Sequence, residues 1–117
     1  TYLSRIYPNL EASYLKWMYI EEDGNYIGSV WLEGQDTRRA KLGIFIADPA
    51  YRDKGIGKYA IQKMISLAKS DGIDIITLNV RVGNLRARKV YDSCGFKEKK
   101  RFKKENGIDV FSMELEL

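Results

Sequence analysis

Residues 52–58, with the sequence Arg-Asp-Lys-Gly-Ile-Gly-Lys, combine glycines and basic side chains in the manner of a phosphate-binding turn. Gly55 and Gly57 carry no Cβ atoms, so an anion can approach their backbone N–H groups closely. Lys54 and Lys58 add full positive charges beside them. The spacing excludes a P-loop and a dinucleotide-binding fingerprint, which need Gly-x-x-x-x-Gly-Lys-Ser/Thr and Gly-x-Gly-x-x-Gly. The stretch therefore predicts a phosphate-containing ligand held by a turn of another kind.

This turn lies between a predicted strand and a predicted helix. Residues 42–47 are apolar and end at Asp48-Pro49, which is typical of a buried strand. After the glycines, apolar side chains recur at helical spacing until Gly72, so we expect a helix that begins near Gly55. The first N–H groups of a helix lack intrahelical acceptors and lie at the positive end of its dipole, which favours an anion there. The alternative is an ordinary strand-to-helix turn with solvated lysines.

A second strand-to-helix unit follows in residues 74–96. Its apolar, β-branched strand leads to Asn84, Ala87 and Tyr91, which are three and four residues apart and so share one face of a helix. Gly95-Phe96 comes directly after. Taken alone, Asn84 is explained equally well as a helix N-cap or as a ligand contact, and Tyr91 is better explained as an ordinary core residue.

Together the two units resemble the GNAT superfamily of acetyl-CoA-dependent N-acetyltransferases. The resemblance rests on Arg-x-x-Gly-x-Gly after a strand ending in Asp-Pro, and on Asn-x-x-Ala-x-x-x-Tyr before Gly-Phe, and it covers about residues 14–117. It implies an α+β fold: a mixed, mostly antiparallel sheet with helices on both faces and acetyl-CoA in a cleft between splayed central strands. Hairpins predicted around Asp23-Gly24-Asn25 and Glu105-Asn106-Gly107 fit that order. We expect one domain over residues 1–117, with the family's opening strand and helices shortened or missing.

The function implied by the resemblance is direct transfer of an acetyl group from acetyl-CoA to a primary amine in a ternary complex. The acceptor stays open among a small amine, an amino acid, an antibiotic, and a protein N-terminus or lysine. The strand at residues 45–47 is expected to bind the pantetheine arm through its backbone, and basic side chains to bind the phosphates. The predicted cofactor-binding residues are Phe45, Ile46, Ala47, Arg52, Asp53, Lys54, Gly55, Ile56, Gly57, Lys58, Asn84 and Arg88.

Tyr91 matches the family tyrosine that protonates the leaving sulfur, and a phenol with a pKa near ~10 keeps its proton at neutral pH. An N–H near Ile46 or Ala47 is expected to polarise the thioester carbonyl. The general base is less defined. In the branch acting on protein N-termini, a glutamate often stands where this chain has Asn79, and an amide cannot accept the proton of the acceptor amine. Another group must accept it, and we predict Glu33, acting through water, as the base.

Three other carboxylates remain alternatives to Glu33 as the base: Glu21, Glu22 and Asp48. For each of them, and for Glu33, ordinary surface charge is the competing explanation.

Composition limits the other possibilities. The 117 residues, 44% of them hydrophobic, suffice for one core, and no apolar run is long enough to cross a bilayer. With no signal segment either, we expect a cytoplasmic protein without a membrane partner. Without histidine, the common zinc sites and histidine-based triads are excluded, and no metal is expected. Cys94 has no partner for a disulfide and is interpreted as a small packed side chain.

The net charge of +4 includes a run of lysines and one arginine at residues 97–104. Lysines on a sheet edge are commonly solvated and discourage aggregation, so nucleic-acid binding is not expected. The alternative to an enzyme is a non-catalytic GNAT-like module that binds coenzyme A, or an acidic partner through this hairpin. A homodimer stays open as an assembly.

Overall fold

The computed structural model describes residues 2–6, 15–34, 38–52 and 54–117. In chain order these form β1 (Tyr2–Ile6), β2 (Leu15–Glu22), β3 (Asn25–Gly34), β4 (Arg39–Ile46), a 3-10 turn (Pro49–Tyr51), α1 (Ile56–Ser70), β5 (Ile75–Arg81), α2 (Leu85–Ser93), β6 (Lys97–Lys103) and β7 (Asp109–Glu116). Neither α-helix in these ranges is long and apolar enough to cross a membrane.

The strands form one seven-stranded sheet in the order β1-β2-β3-β4-β5-β7-β6. All neighbours are antiparallel except β4 and β5, which are parallel. The predicted mixed, mostly antiparallel sheet is therefore confirmed. Both predicted hairpins are present: Asp23 and Gly24 take positive φ angles of 51° and 79°, as a tight two-residue turn requires, and Gly107 takes a φ of 85° between β6 and β7.

The central strands separate along their length. Pairing between β4 and β5 covers only Arg39–Ile75 to Lys41–Thr77. Beyond it, β4 stays paired with β3 as far as Ile46, and β5 stays paired with β7 as far as Arg81. The two strands therefore diverge with their outer ladders intact, which leaves a splay between their inner edges.

Helix α1 begins and ends where the glycines predict. Gly55 is its N-cap, and Gly72 follows its C-terminal end with a φ of 83°, the left-handed conformation common after a helix. The buried stripe of α1 packs on β3 and β4 and forms the core with apolar residues of the sheet. This stripe consists of Ile56, Ala60, Ile61, Met64 and Ala68.

Both described helices lie on the same face of the sheet, whereas the sequence analysis expected helices on both faces. A Cβ placed on Gly57 of α1 would lie 3.9 Å from Ile44, and Arg88 of α2 stacks on Phe111. The strand registers put Ile44 and Phe111 on one side. The reason is topological: the connections from β4 to β5 and from β5 to β6 run in the same direction, and right-handed crossovers then place their helices together. We call this side the helix face and the other the second face.

Candidate functional site

A cleft of about 420 Å³ lies where the splay meets the two helices. Residues from β4, the glycine turn, α1 and α2 line it, so the two sequence motifs come together in space. The lining consists of Ile44, Phe45, Ile46, Tyr51, Arg52, Gly55, Gly57, Lys58, Ile61, Asn84, Arg86, Ala87, Val90 and Tyr91.

The two glycines of the turn have different structural roles. Gly55 has a φ of 77°, a left-handed conformation that other residues adopt only with strain. Gly57 lies inside the first turn of α1, and a Cβ there would meet nothing closer than Ile44 at 3.9 Å. No side chain caps this end of α1, and its first turn has no acidic residue. The first N–H groups of α1 are therefore available to an anion in the cleft.

Basic residues surround this helix end. Lys58 and Arg52 line the cleft, and Arg52 donates a hydrogen bond from Nη2 to the carbonyl of Ile46 at 3.3 Å. Lys54 is exposed, with its Nζ 5.6 Å from the centre of the Tyr51 ring.

Two further predicted cofactor-binding residues, Ile56 and Asp53, are neighbours of the turn. The Ile56 side chain is buried in the core, so that residue can offer a ligand only its backbone, and Asp53 lies outside the described residues.

The inner edge of β4 presents backbone groups to the cleft. Ala47 donates its N–H to the carbonyl of Ile27 at 2.7 Å. Hydrogen-bonded and non-hydrogen-bonded pairs alternate along an antiparallel ladder, so the neighbouring pair, Ile46 with Gly28, turns its N–H and C=O groups away from β3. The same alternation applies to Ile44. Of the two amides predicted to polarise a thioester, that of Ile46 therefore faces the splay, whereas that of Ala47 is already engaged with β3.

Asn84 caps a helix and also lines the cleft, where its predicted contact with the cofactor stays a prediction. Its Oδ1 accepts a hydrogen bond from the N–H of Ala87 at 3.2 Å, so it is the N-cap of α2. It also lines the cleft across from the glycine turn. The capping role fixes the start of α2, and this sets the direction in which Ala87 and Tyr91 face.

Tyr91 lines the cleft from the C-terminal half of α2. Its ring packs edge to face on the buried Phe96, with the centroids 6.0 Å apart. Burial raises the pKa of the Tyr91 phenol above its ordinary value, and the neighbouring Cys94 acts in the same direction. Burial also raises the pKa of the Cys94 thiol, opposed by Ser93 and by the charge of Lys58. Both groups are therefore protonated at neutral pH.

The comparisons with known proteins agree with this geometry. A model described as the acetyltransferase (GNAT) family matches residues 2–96. The chain belongs to this family. It is 28% identical over 83 residues to a mycothiol acetyltransferase of Beutenbergia cavernae, a match that covers 70% of this chain and 28% of that protein. It is 28% identical over 109 residues to a putative [ribosomal protein bS18]-alanine N-acetyltransferase of Bacillus subtilis, covering 89% of this chain and 70% of that relative.

The fold of this GNAT chain also matches solved structures. A spermidine N-acetyltransferase chimera from Vibrio cholerae and hSSAT superposes with a TM-score of 0.81 at 26% identity, covering 91% of this chain and 71% of the other. The overall fold is therefore that of the family.

Arg88 does not line the GNAT cleft, contrary to its predicted role with the cofactor. Its Nη1 donates to the carbonyl of Val82 at 2.8 Å, its Nη2 and Nε donate to Oε1 of Glu98 at 2.8 and 3.2 Å, and its guanidinium lies 4.7 Å from the centre of the Phe111 ring. Arg86 lines the cleft instead. Both arginines flank the face that carries Tyr91, so helical spacing alone does not separate them. Glu98 on β6 and Phe111 on β7, which come later in the sequence, bind Arg88 and so leave Arg86 as the arginine of α2 that lines the cleft.

The predicted bases lie outside the cleft. Glu33 is exposed on β3, opposite Lys41 and on the second face, and Asp48 accepts a hydrogen bond from the N–H of Ala50 at 2.9 Å. Glu21 and Glu22 are half-buried on β2 and have partners of their own. None of the residues that line the cleft in the described ranges is an Asp or Glu. The base therefore stays a prediction.

Replacing Arg88 with methionine is expected to reduce the free energy of unfolding by roughly 1–2 kcal/mol, because the Val82 carbonyl and Glu98 lose their donors while the contact with Phe111 is kept. Urea denaturation measures this change, with Lys89→Met at the next, exposed position as the control. Acetyl-CoA affinity should stay within a few-fold. A tenfold loss of acetyl-CoA affinity with unchanged stability would instead show that Arg88 contacts the cofactor.

Proposed function

We propose that this chain transfers an acetyl group from acetyl-CoA to a primary amine, directly and within a ternary complex. The observation that carries the proposal is the convergence of three features in one cleft: the uncapped helix end at Gly57, the β4 edge at Ile46, which pairs with no residue of β5, and the phenol of Tyr91. Each has an ordinary structural explanation alone. Together they match what acyl transfer from a phosphate-bearing thioester requires.

The cofactor is proposed to bind along the cleft. Its pyrophosphate would accept hydrogen bonds from the first N–H groups of α1, with Lys58 and Arg86 adding charge nearby. Its pantetheine arm would pair with the β4 edge at Ile44 and Ile46 as an added strand does, because those backbone groups have no partner on β5. Lys54 would contribute at longer range from the exposed part of the turn.

The chemistry proposed for the site follows from these positions. The acceptor nitrogen forms a bond to the thioester carbon, and the N–H of Ile46 stabilises the negative charge that develops on the carbonyl oxygen. The carbon–sulfur bond then breaks, and the Tyr91 hydroxyl donates to the departing thiolate. For the amine proton we retain Glu33 through water. Its cross-strand partner Lys41 is the last β4 residue paired with β5, so Glu33 lies one strand from the apex of the splay.

The acceptor class is not fixed by the relatives. One is named for an alanine of a ribosomal protein, and the matched structure is a spermidine acetyltransferase. Protein N-termini and polyamines therefore both belong to the range over which this chain should be tested.

The proposal is tested by following free thiol released from acetyl-CoA across a panel of peptides, amino acids and polyamines, with mass spectrometry of the acceptors. We expect an acetylated product for at least one class, and none for a Gly57→Val variant, in which the side chain fills the cofactor site. Binding of acetyl-CoA without transfer to any acceptor would favour the non-catalytic coenzyme A-binding module.

A further inference from the structure

Exposed aromatic side chains cluster on the second face of the sheet. Tyr19, Tyr26 and Phe45 are 40%, 53% and 55% exposed, and they lie on the neighbouring strands β2, β3 and β4. Single exposed apolar residues are normal, but a contiguous group of them marks an interaction surface. The other two large hydrophobic residues exposed in the described ranges, Tyr59 and Leu85, lie on the helices. We call Tyr19, Tyr26, Ser29 and Phe45 the aromatic patch.

The aromatic patch is a packed arrangement. Tyr19 and Tyr26 meet edge to face with their ring centres 5.3 Å apart and their planes at 85°. The Tyr26 hydroxyl and Ser29 Oγ lie 3.2 Å apart in a hydrogen bond, and Ser29 is the cross-strand partner of Phe45. The two tyrosine rings are therefore held against each other before anything binds, which lowers the entropy cost of binding to them.

Phe45 connects the patch to the acetyl-CoA cleft. Successive side chains alternate between the faces of a strand, so Ile44 and Ile46 face the helices while Phe45 faces the second face. Phe45 nevertheless lines the cleft, because the cleft extends through the splay. Phosphates held at the end of α1 lie on the helix face. A group that approaches the thioester from the second face meets the aromatic patch.

We propose that the aromatic patch binds an apolar side chain next to the acceptor amine, so that the chain prefers amines such as the N-terminus of a peptide whose first residue is aromatic or long and aliphatic. This inference rests on the proposed acetyl transfer.

Two observations favour an apolar group over a cationic one at the patch. No residue of the patch carries a charge, and the charged side chains that line the adjoining cleft in the described ranges, Arg52, Lys58 and Arg86, are all cations. A cation is attracted to the faces of aromatic rings, but here one tyrosine meets the other edge to face. The patch offers exposed, uncharged aromatic surface, which gains by covering a hydrocarbon or aromatic group.

The test uses tripeptide amides X-Ala-Ala, with X as Phe, Leu, Ser or Gly, together with spermidine. We expect kcat/KM for the Phe and Leu peptides to exceed that for the Ser peptide by roughly tenfold or more, as burial of such side chains allows. The double variant Tyr19→Ala/Tyr26→Ala should reduce this preference to within a few-fold, because kcat/KM falls more for the Phe and Leu peptides than for the Ser peptide. Tyr59→Ala, which removes a similarly exposed tyrosine from α1, is the matched control and should keep the preference.

The outcomes separate the inference from the function it rests on. If every peptide and spermidine reacts equally well, or if spermidine is preferred and that preference disappears in the double variant, the inference is wrong and the acetyl transfer stands. If no amine reacts while acetyl-CoA still raises the melting temperature, the transfer itself fails. Should the double variant not fold, Tyr26→Phe, which keeps both rings and removes only the bond to Ser29, must retain the preference.

Discussion

Replacing Tyr91 with phenylalanine is expected to lower kcat roughly 100-fold while acetyl-CoA affinity stays within a few-fold. The phenyl ring keeps the edge-to-face contact with Phe96, so α2 should hold its position in the cleft. What is lost is the hydroxyl, for which the structure shows no hydrogen-bond partner among the described residues. Steady-state kinetics with an identified acceptor measure the change, together with a binding titration of acetyl-CoA.

The raised pKa of Tyr91 defines what this hydroxyl can do. Burial raises the pKa of the Tyr91 phenol further above that of a thiol, so full proton transfer from the phenol to a thiolate is uphill. In the proposed mechanism the hydroxyl would therefore act mainly by donating a hydrogen bond to sulfur as the charge develops, and the proton would follow late. Because the pKa is raised, this donor is retained through neutral pH and is lost only in more alkaline solution than an ordinary tyrosine would require. The alkaline fall in kcat should be absent in Tyr91→Phe.

A second cleft tyrosine supplies the matched control for Tyr91. Tyr51 also lines the cleft, and its ring lies under Lys54 in a contact that phenylalanine can keep. Tyr51→Phe should therefore turn over like the wild type. If Tyr91→Phe does the same, with chemistry shown to limit the rate, Tyr91 is a packing residue and the thiolate is stabilised by another group.

The parts of the site that could be predicted from sequence are those determined by local chemistry. Gly55 needs a left-handed backbone, Asn84 caps a helix, and Asp23-Gly24 closes a hairpin, each through contacts within a few residues. These local rules placed the glycine turn and the start of α2 correctly. Because both lie directly after strands of one sheet, their meeting in a single cleft also followed from the family resemblance.

The parts that could not be predicted depend on distant neighbours. Arg88 is drawn out of the cleft by Glu98 and Phe111, which belong to strands later in the chain. The engagement of the Ala47 amide depends on the register of β4 against β3, which sets which amides face the splay. The alternation of side chains along β4 could be predicted, but not that Phe45 lies on the same face as exposed tyrosines of two other strands.

Replacing Gly57 with alanine is expected to change stability and ligand binding in opposite directions. Gly57 has helical neighbours and ordinary space around it, so a methyl group there costs no backbone strain. Alanine in a helix is more stable than glycine by about 0.5–1 kcal/mol, which should raise the melting temperature of the free protein by a few degrees. The same methyl group lies where a phosphate must approach the first N–H groups of α1, so acetyl-CoA affinity should fall roughly tenfold or more.

Thermal unfolding with and without acetyl-CoA measures both effects of Gly57→Ala in one experiment. A ligand that binds only the folded state adds about 2.7 kcal/mol at 100 times its dissociation constant, and about half of that after a tenfold loss of affinity. Gly83→Ala is the control, because Gly83 lies in the turn before α2, outside the cleft lining, and has nothing within 4 Å of its Cβ position. It should leave the acetyl-CoA shift unchanged.

Gly55→Ala completes the comparison, because alanine at its φ of 77° costs roughly 1–2 kcal/mol of strain and should lower the melting temperature of the free protein. Loss of binding in that variant alone could reflect a distorted turn. Loss of binding in the more stable Gly57→Ala variant cannot, because its fold is intact by the same measurement. If Gly57→Ala instead keeps the full acetyl-CoA shift, the phosphates do not bind at the end of α1, and the cofactor must lie elsewhere in the splay.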